Sequence, residues 1–173
     1  MNPLNANQFF ERNTYNDTPK DAGPILIVDQ LRNGENIGQI IRLAGNTGCQ
    51  TVLIVTKEEV PRKSKILRVA DVAGKIIDWR FCQTSEVMNH IPKDYTLVAL
   101  ETSPASHNLF TSQLPQKMAL IVGNEVLGIS KALMEQSHLE IHIPVTGPVK
   151  SLNVAQATGI LLFEWVRQHV LTI

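Results

Sequence analysis

The stretch Ile143-Pro144-Val145-Thr146-Gly147-Pro148-Val149-Lys150-Ser151-Leu152-Asn153 runs from an apolar strand-like segment into a long apolar helix, and places Ser151 and Asn153 at the helix start. Asn153 followed by Gln156 matches a capping box, which accounts for one polar residue. A helix start also leaves backbone N–H groups without intrahelical partners, so it can direct donors into a cleft. Three further segments, 29–36 (DQLRNGEN), 99–106 (ALETSPAS) and 122–130 (VGNEVLGIS), follow apolar runs in the same way. Gly, Asn, Ser and Thr recur in these segments, permitting unusual backbone angles and offering donors and acceptors. The chemistry they suit is recognition of a small ligand by loop backbones.

These segments need a scaffold that brings them together. The β-branched run PILIVDQ stops at Asp29, the helical pattern NIGQIIRLAGNTG follows with Gly48 as its stop, and Thr51–Val55 is a second strand. The alternation continues: a helix over PRKSKILRVADVAG, a strand KIIDWRF, a short helix TSEVMNHI capped by Thr84 or Ser85, and a strand YTLVALE. A polar loop with one helical turn precedes the strand KMALIVG, the helix SKALMEQS, the strand LEIHIPV and a last helix from Ser151 to about Val170. The pattern predicts an α/β domain over 24–173, with a mostly parallel sheet flanked by helices. Residues 1–23 read as an extension with a helical piece around Gln8 to Arg12. In such a sheet, ligands gather beyond the carboxyl ends of the strands, where the four polar segments fall.

Composition narrows the function classes. The chain has 173 residues, 43% hydrophobic and 18% charged, with zero formal net charge. No apolar run is long enough to span a membrane, and the polar N-terminus lacks a signal-peptide core, so a cytoplasmic protein is expected. Zero net charge gives no global attraction to a polyanion, although a local patch can still bind one. No GxGxxG follows the first strand, and no GxxxxGK[ST] or GxSxG is present. Cys49 and Cys82 form no CxxC pattern and read as free buried thiols. His138, Glu140 and His142 share one strand face, but without further ligands no metal site is predicted.

Three segments together resemble the SpoU, or TrmH-like, RNA ribose 2′-O-methyltransferases of the SPOUT superfamily. NIGQIIRLAGNTG is similar to the family's Asn-x-Gly-x-x-x-Arg motif through Asn36 and Arg42. LIVGNEVLGIS is similar to its second motif through Gly123, Asn124, Glu125, Gly128 and Ser130, and IPVTGPVKSLNVAQATG to its third. The resemblance covers about residues 24–170 and departs modestly from the pattern, with Gly159 in the last helix in place of Ala. It implies a deep C-terminal trefoil knot, a homodimer with the site near the subunit interface, S-adenosylmethionine as cofactor and RNA as substrate. By analogy tRNA is favoured over ribosomal RNA; a non-catalytic RNA-binding factor with this fold is the remaining alternative.

The resemblance implies catalytic roles for Asn36, Arg42, Glu125, Ser151 and Asn153. Arg42 follows Asn36 by six residues, about 600° of helix rotation, so the two need not point the same way. A guanidinium is a poor base, so an electrostatic role is expected of Arg42: binding a phosphate beside the target and stabilising a developing alkoxide, in its own or a partner subunit's site. Glu125 either caps local backbone or holds Arg or Asn groups of the site, with Asn124 as its structural companion. Leu100, Glu101, Thr102, Gly123, Asn124, Ile143 and Leu152 are the candidate cofactor contacts, chiefly through backbone groups. Arg62, Lys63, Lys65 and Arg68, in the densest basic stretch, are candidate RNA contacts.

Overall fold

The computed structural model describes residues 5–12, 18, 22–57 and 60–171, so most of the 1–23 extension lies outside the described residues. The strands are β1 (Ile25–Asp29), β2 (Thr51–Val55), β3 (Asp78–Cys82), β4 (Thr96–Leu100), β5 (His107–Asn108), β6 (Met118–Val122) and β7 (Leu139–His142). The helices are α1 (Ala6–Arg12), α2 (Gly34–Thr47), α3 (Lys63–Ala70), α4 (Ala73–Ile76), α5 (Lys131–Met134) and α6 (Val154–His169). One sheet has the order β3-β2-β1-β6-β4-β7-β5, and every pairing in it is parallel. All five residues of β1 are buried, as a central strand covered on both faces requires.

Alternation along the strands divides the core into two layers. Leu26, Val28, Val52 and Leu120 face a cluster with Ile37, Ile40 and Ile41 of α2, Ile66 of α3, and Leu161, Leu162 and Trp165 of α6. Ile25, Ile27, Leu53 and Ile121 face the opposite layer, with Val87 and Leu133. Where α2 meets α3, a Cβ on Gly38 would lie 2.7 Å from both the Ile66 carbonyl oxygen and Val69 Cβ, so the approach of these helices requires glycine.

Several boundaries differ from those the pattern predicts, each for a local reason. α2 starts at Gly34, two residues before Asn36, because the Asn33 side chain accepts from the Glu35 N–H; it stops at Gly48 as expected, in a left-handed C-cap. The helix expected over 61–74 splits into α3 and α4 at Asp71, whose φ is +54°. Lys75 and Ile76 complete α4, so the following strand starts only at Asp78. Residues 84–90 form a 3₁₀ helix, and Gln83 precedes it, with its N–H donated to Glu86 at 2.8 Å; Thr84 and Ser85 are not the caps. The polar loop after β4 contributes β5, which extends the sheet beyond β7. α6 starts at Val154, leaving Ser151 and Leu152 ahead of it.

The far end of α6 is fixed by a polar cluster. Glu164, nearly buried, accepts from Arg167 Nε at 2.8 Å and from Gln168 Nε2 at 2.7 Å. Gln168 in turn accepts the Leu114 N–H and donates to the Ser112 carbonyl, tying α6 to the loop before β6. The Arg167 guanidinium, aided by Gln168, holds the Glu164 carboxyl below the usual carboxylate range against the opposing effect of burial. A folded-state pKa below the unfolded one stabilises the fold above the unfolded value, about 4.3 for Glu, and the gain is lost as pH falls through the folded value. Denaturant unfolding across pH should therefore show Glu164→Gln less stable than wild type at pH 7, with the difference closing below about pH 4.

Candidate active site

Register sets the site. Leu100 of β4 aligns with Val122 of β6 on one side and Ile141 of β7 on the other. The loops that leave these three strands therefore start at one level, and a cavity of about 310 Å³ opens between them. Leu100, Val122, Ile143, Leu152, Val154 and Ala157 supply apolar wall, while Glu101, Glu125, His142, Lys150 and Ser151 supply polar groups. Thr102, Gly123 and Asn124 complete the set of expected cofactor contacts, so all seven lie on this one cavity.

The loop after β6 folds on itself. Asn124 and Gly128 exchange backbone hydrogen bonds at 3.1 and 2.9 Å. The Asn124 side chain accepts the Val126 N–H at 2.9 Å and donates to the Gln30 carbonyl at 3.0 Å, which pins the loop to the end of β1. Gly128 has φ +68°, and a Cβ there would lie 2.7 Å from Glu101 Oε2. The Glu101 carboxylate accepts the N–H groups of Thr102 at 2.9 Å and Ile129 at 3.2 Å, joining the β4 and β6 loops.

Asn36, Glu125 and Asn153 meet beside the cavity. Asn153 is the N-cap of α6, its Oδ1 accepting the N–H of Ala155 at 2.9 Å and of Gln156 at 3.4 Å. The capping role turns its Nδ2 towards Asn36 Oδ1, at 3.1 Å. Asn36 in turn donates its own Nδ2 to Glu125 Oε1. Each amide orientation follows from the one before, and the series ends on a carboxylate that can only accept. Asn36 is 7% exposed, so an unpaired amide there would carry a desolvation cost. Glu125 thus holds an Asn of the cluster, one of the two roles read from sequence. Ser151 lies on the cavity wall, and its hydroxyl has no hydrogen-bond partner among the described residues.

Arg42 lies elsewhere. It is exposed, pairs with no carboxylate among the described residues, and lines a groove between α2 and α6 with Leu43, Asn46, Gly159, Ile160 and Phe163. The six-residue offset from Asn36 thus puts the two motif residues on different surfaces. The small residues of α6 separate as well: Ala155 is buried, Ala157 faces the cavity, and Gly159 lies against Leu43.

The basic stretch is partly engaged. Lys63 sits over the Trp79 ring at 5.3 Å, while Lys65 and Arg68 approach Glu35 at 3.5 and 3.6 Å. Arg62 is exposed without a partner among the described residues, as is Arg32 in the loop before α2, a residue the sequence reading passed over. The three residues of the His138–His142 stretch have separate partners: His138 Nδ1 accepts the Leu97 N–H, Glu140 accepts from the Ser103 hydroxyl, and His142 Nδ1 lies 3.0 Å from Ser106 Oγ. Cys49 and Cys82 are buried free thiols, and burial pushes Cys49 up to about 12.

A model of the SpoU rRNA Methylase family matches residues 23–163. The chain belongs to that family. It is 28% identical over 167 residues to the 23S rRNA (guanosine-2′-O-)-methyltransferase RlmB of Vibrio vulnificus, covering 95% of this chain and 68% of that one. An AdoMet-bound rRNA methyltransferase from Sinorhizobium meliloti superposes with a TM-score of 0.76 at 25% identity, covering 89% of this chain and 61% of the other. The A. aeolicus TrmH/SpoU tRNA modifying enzyme gives 0.74 at 25% identity, over 88% and 77%. The chain spans about three fifths of several other curated RlmB relatives. Among the described residues, no helix is long and apolar enough to cross a membrane.

The cap and the Asn36 contact can be separated by substitution. Asn153→Ala should cost about 1 kcal/mol of stability or more, whereas Asn153→Asp keeps an acceptor for the cap and should cost less. Denaturant midpoints check this order; equal losses would remove the cap from the account.

Proposed function

We propose that the chain is an S-adenosylmethionine-dependent RNA methyltransferase acting on a ribose 2′-hydroxyl. The observation that carries this reading is the hydrogen-bonded meeting of Asn36, Glu125 and Asn153, one residue from each of the three matched segments, beside a single cavity. The cavity suits the cofactor: its volume is in the range of small-molecule sites, and it combines apolar wall with backbone groups at strand ends. When bound, the cofactor supplies an activated methyl group on a sulfonium. Leu100, Glu101, Thr102, Gly123, Asn124, Ile143 and Leu152 hold it in this reading.

The chain's own residues then position the ribose and sharpen its hydroxyl. Ser151 offers a free hydroxyl on the cavity wall, and Asn153, fixed by its cap and by Asn36, presents a rigid polar edge beside it. Arg42 completes the site from a second copy of the chain. Supporting this are its separation from the cavity and the apolar groove around it, where Phe163 is 52% exposed. A homodimer over the α2–α6 face would cover that groove. In the RNA complex the guanidinium binds the phosphate next to the target and stabilises the developing alkoxide, with that phosphate assisting proton removal. Arg62, Lys63, Lys65 and Arg68, joined by Arg32, form the proposed RNA-facing surface. The domain is taken as residues 24–173, acting in the cytoplasm. A trefoil knot is supported by the return of α6 to α2 after β7, which lies beyond β4 and β6 from β1.

Transfer RNA is the substrate expected from the sequence, and the A. aeolicus relative is named for tRNA modification. Ribosomal RNA is the second reading, favoured by the 23S rRNA activity in the name of the Vibrio relative. Incubation with methyl-labelled S-adenosylmethionine and separated RNA fractions, followed by alkaline digestion, tests both. A labelled, alkali-resistant dinucleotide is expected from one fraction, since a 2′-O-methyl blocks cleavage at its own nucleotide; label on a base contradicts the reading. Arg42→Lys keeps the charge but loses the planar fork, and should lower turnover by about 10²-fold. Near-normal turnover would exclude bidentate phosphate binding.

A further inference from the structure

We propose that Glu101 makes the cavity selective for the charged methyl donor over the uncharged product of transfer. This rests on the cofactor reading above and adds a task for one side chain. In the transfer, the sulfur–methyl bond breaks, the methyl–O2′ bond forms, and the ribose proton leaves to solvent with the assistance of the neighbouring phosphate. The sulfonium becomes a thioether, so the ligand loses one positive charge while its shape changes by a single methyl group. A site distinguishes the two mainly by charge.

The charged groups on the cavity wall are Glu101, Glu125 and Lys150. The Lys150 ammonium donates to the Val145 carbonyl at 3.1 Å, within its own loop. Glu125 is exposed and engaged by the Asn36 amide. Glu101 is half-buried, and each of its carboxylate oxygens accepts one backbone N–H, from Thr102 and Ile129. Its negative charge is therefore oriented before a ligand arrives, while its partial exposure leaves it open to screening by salt. Gly128 leaves the room this placement needs, because a side chain there would collide with Glu101 Oε2. The remaining titratable group on the wall is His142, held at Nδ1 by Ser106; Ser106 already donates its hydroxyl proton to the Ser103 carbonyl, so Nδ1 is the donor of that pair. A merely structural Glu101 would tie the loops at 101–102 and 128–129 together and support both ligands equally. A charge-selective Glu101 supports one of them.

Calorimetric binding of the full chain distinguishes these roles, using S-adenosylmethionine, S-adenosylhomocysteine and sinefungin, which carries an amine where the donor has its sulfonium. Glu101→Gln should weaken S-adenosylmethionine and sinefungin about tenfold each and S-adenosylhomocysteine less than about twofold. Equal weakening of all three, or no change in any, overturns the assignment while leaving the cofactor reading intact. If thermal melting shows Glu101→Gln unfolded, the wild-type chain carries the test between about 20 mM and about 500 mM salt. Affinity for the two charged ligands should then fall more steeply than for S-adenosylhomocysteine, and a common salt response overturns the proposal. A wild-type chain that binds none of the three overturns the cofactor reading and this proposal together.

Discussion

The site depends on one hydrogen-bonded series: the first N–H groups of α6 to Asn153, Asn153 to Asn36, and Asn36 to Glu125. It joins residues 117 and 89 positions apart in the chain. It also sets the direction of each amide, because a helix start supplies only donors at one end and a carboxylate supplies only acceptors at the other. A cap that would otherwise serve a single helix thereby fixes the relative placement of α2, the β6 loop and α6. The sheet makes the meeting feasible. Parallel strands in register deliver their carboxyl ends to one side, so the loops after β4, β6 and β7 open onto a common cavity.

Much of this was legible in the sequence. The alternation of apolar runs with helical periodicity gives the parallel α/β sheet, and all seven expected cofactor contacts line one cavity. Asn153 is a cap, although among the described residues the Gln156 side chain does not return the bond that a capping box requires, and both cysteines are buried. What escaped the sequence depends on tertiary contact or on unusual backbone. The left-handed φ of Asp71 breaks a helix that periodicity extends through it. β5 is two residues long and exists only by pairing with β7. Glu101 is legible as a residue at a strand end, but its carboxylate matters through Ile129, 28 residues away. The apolar run of β1 ends on a fully buried Asp29, whose Oδ2 accepts the Ser130 N–H at 2.7 Å. A charged residue closing such a run was the one signal of that tie.

The arrangement also divides the labour proposed for the chain. One side of α6 faces the cavity through Val154 and Ala157; the other faces the α2 groove through Gly159, Ile160 and Phe163. Small residues let the helix pass between the two. In the proposed function the methyl donor and the phosphate-binding arginine sit on separate surfaces of one chain, and a complete site takes both surfaces from two copies. Such a division would make activity depend on assembly, because an isolated chain would bind the donor without offering the guanidinium to its own target.

Complementation between two inactive variants tests that claim most directly. Arg42→Ala and Glu125→Ala chains, each folded and each inactive alone, are mixed, allowed to exchange subunits, and assayed for transfer of labelled methyl to RNA. If Arg42 acts across the interface, every mixed dimer carries one intact site of its two; mixed dimers make up about half of the population, so activity should return to about a quarter of the wild-type level. If both residues serve the site of their own chain, no mixed dimer holds an intact site, and a mixture as inactive as its components would contradict the account.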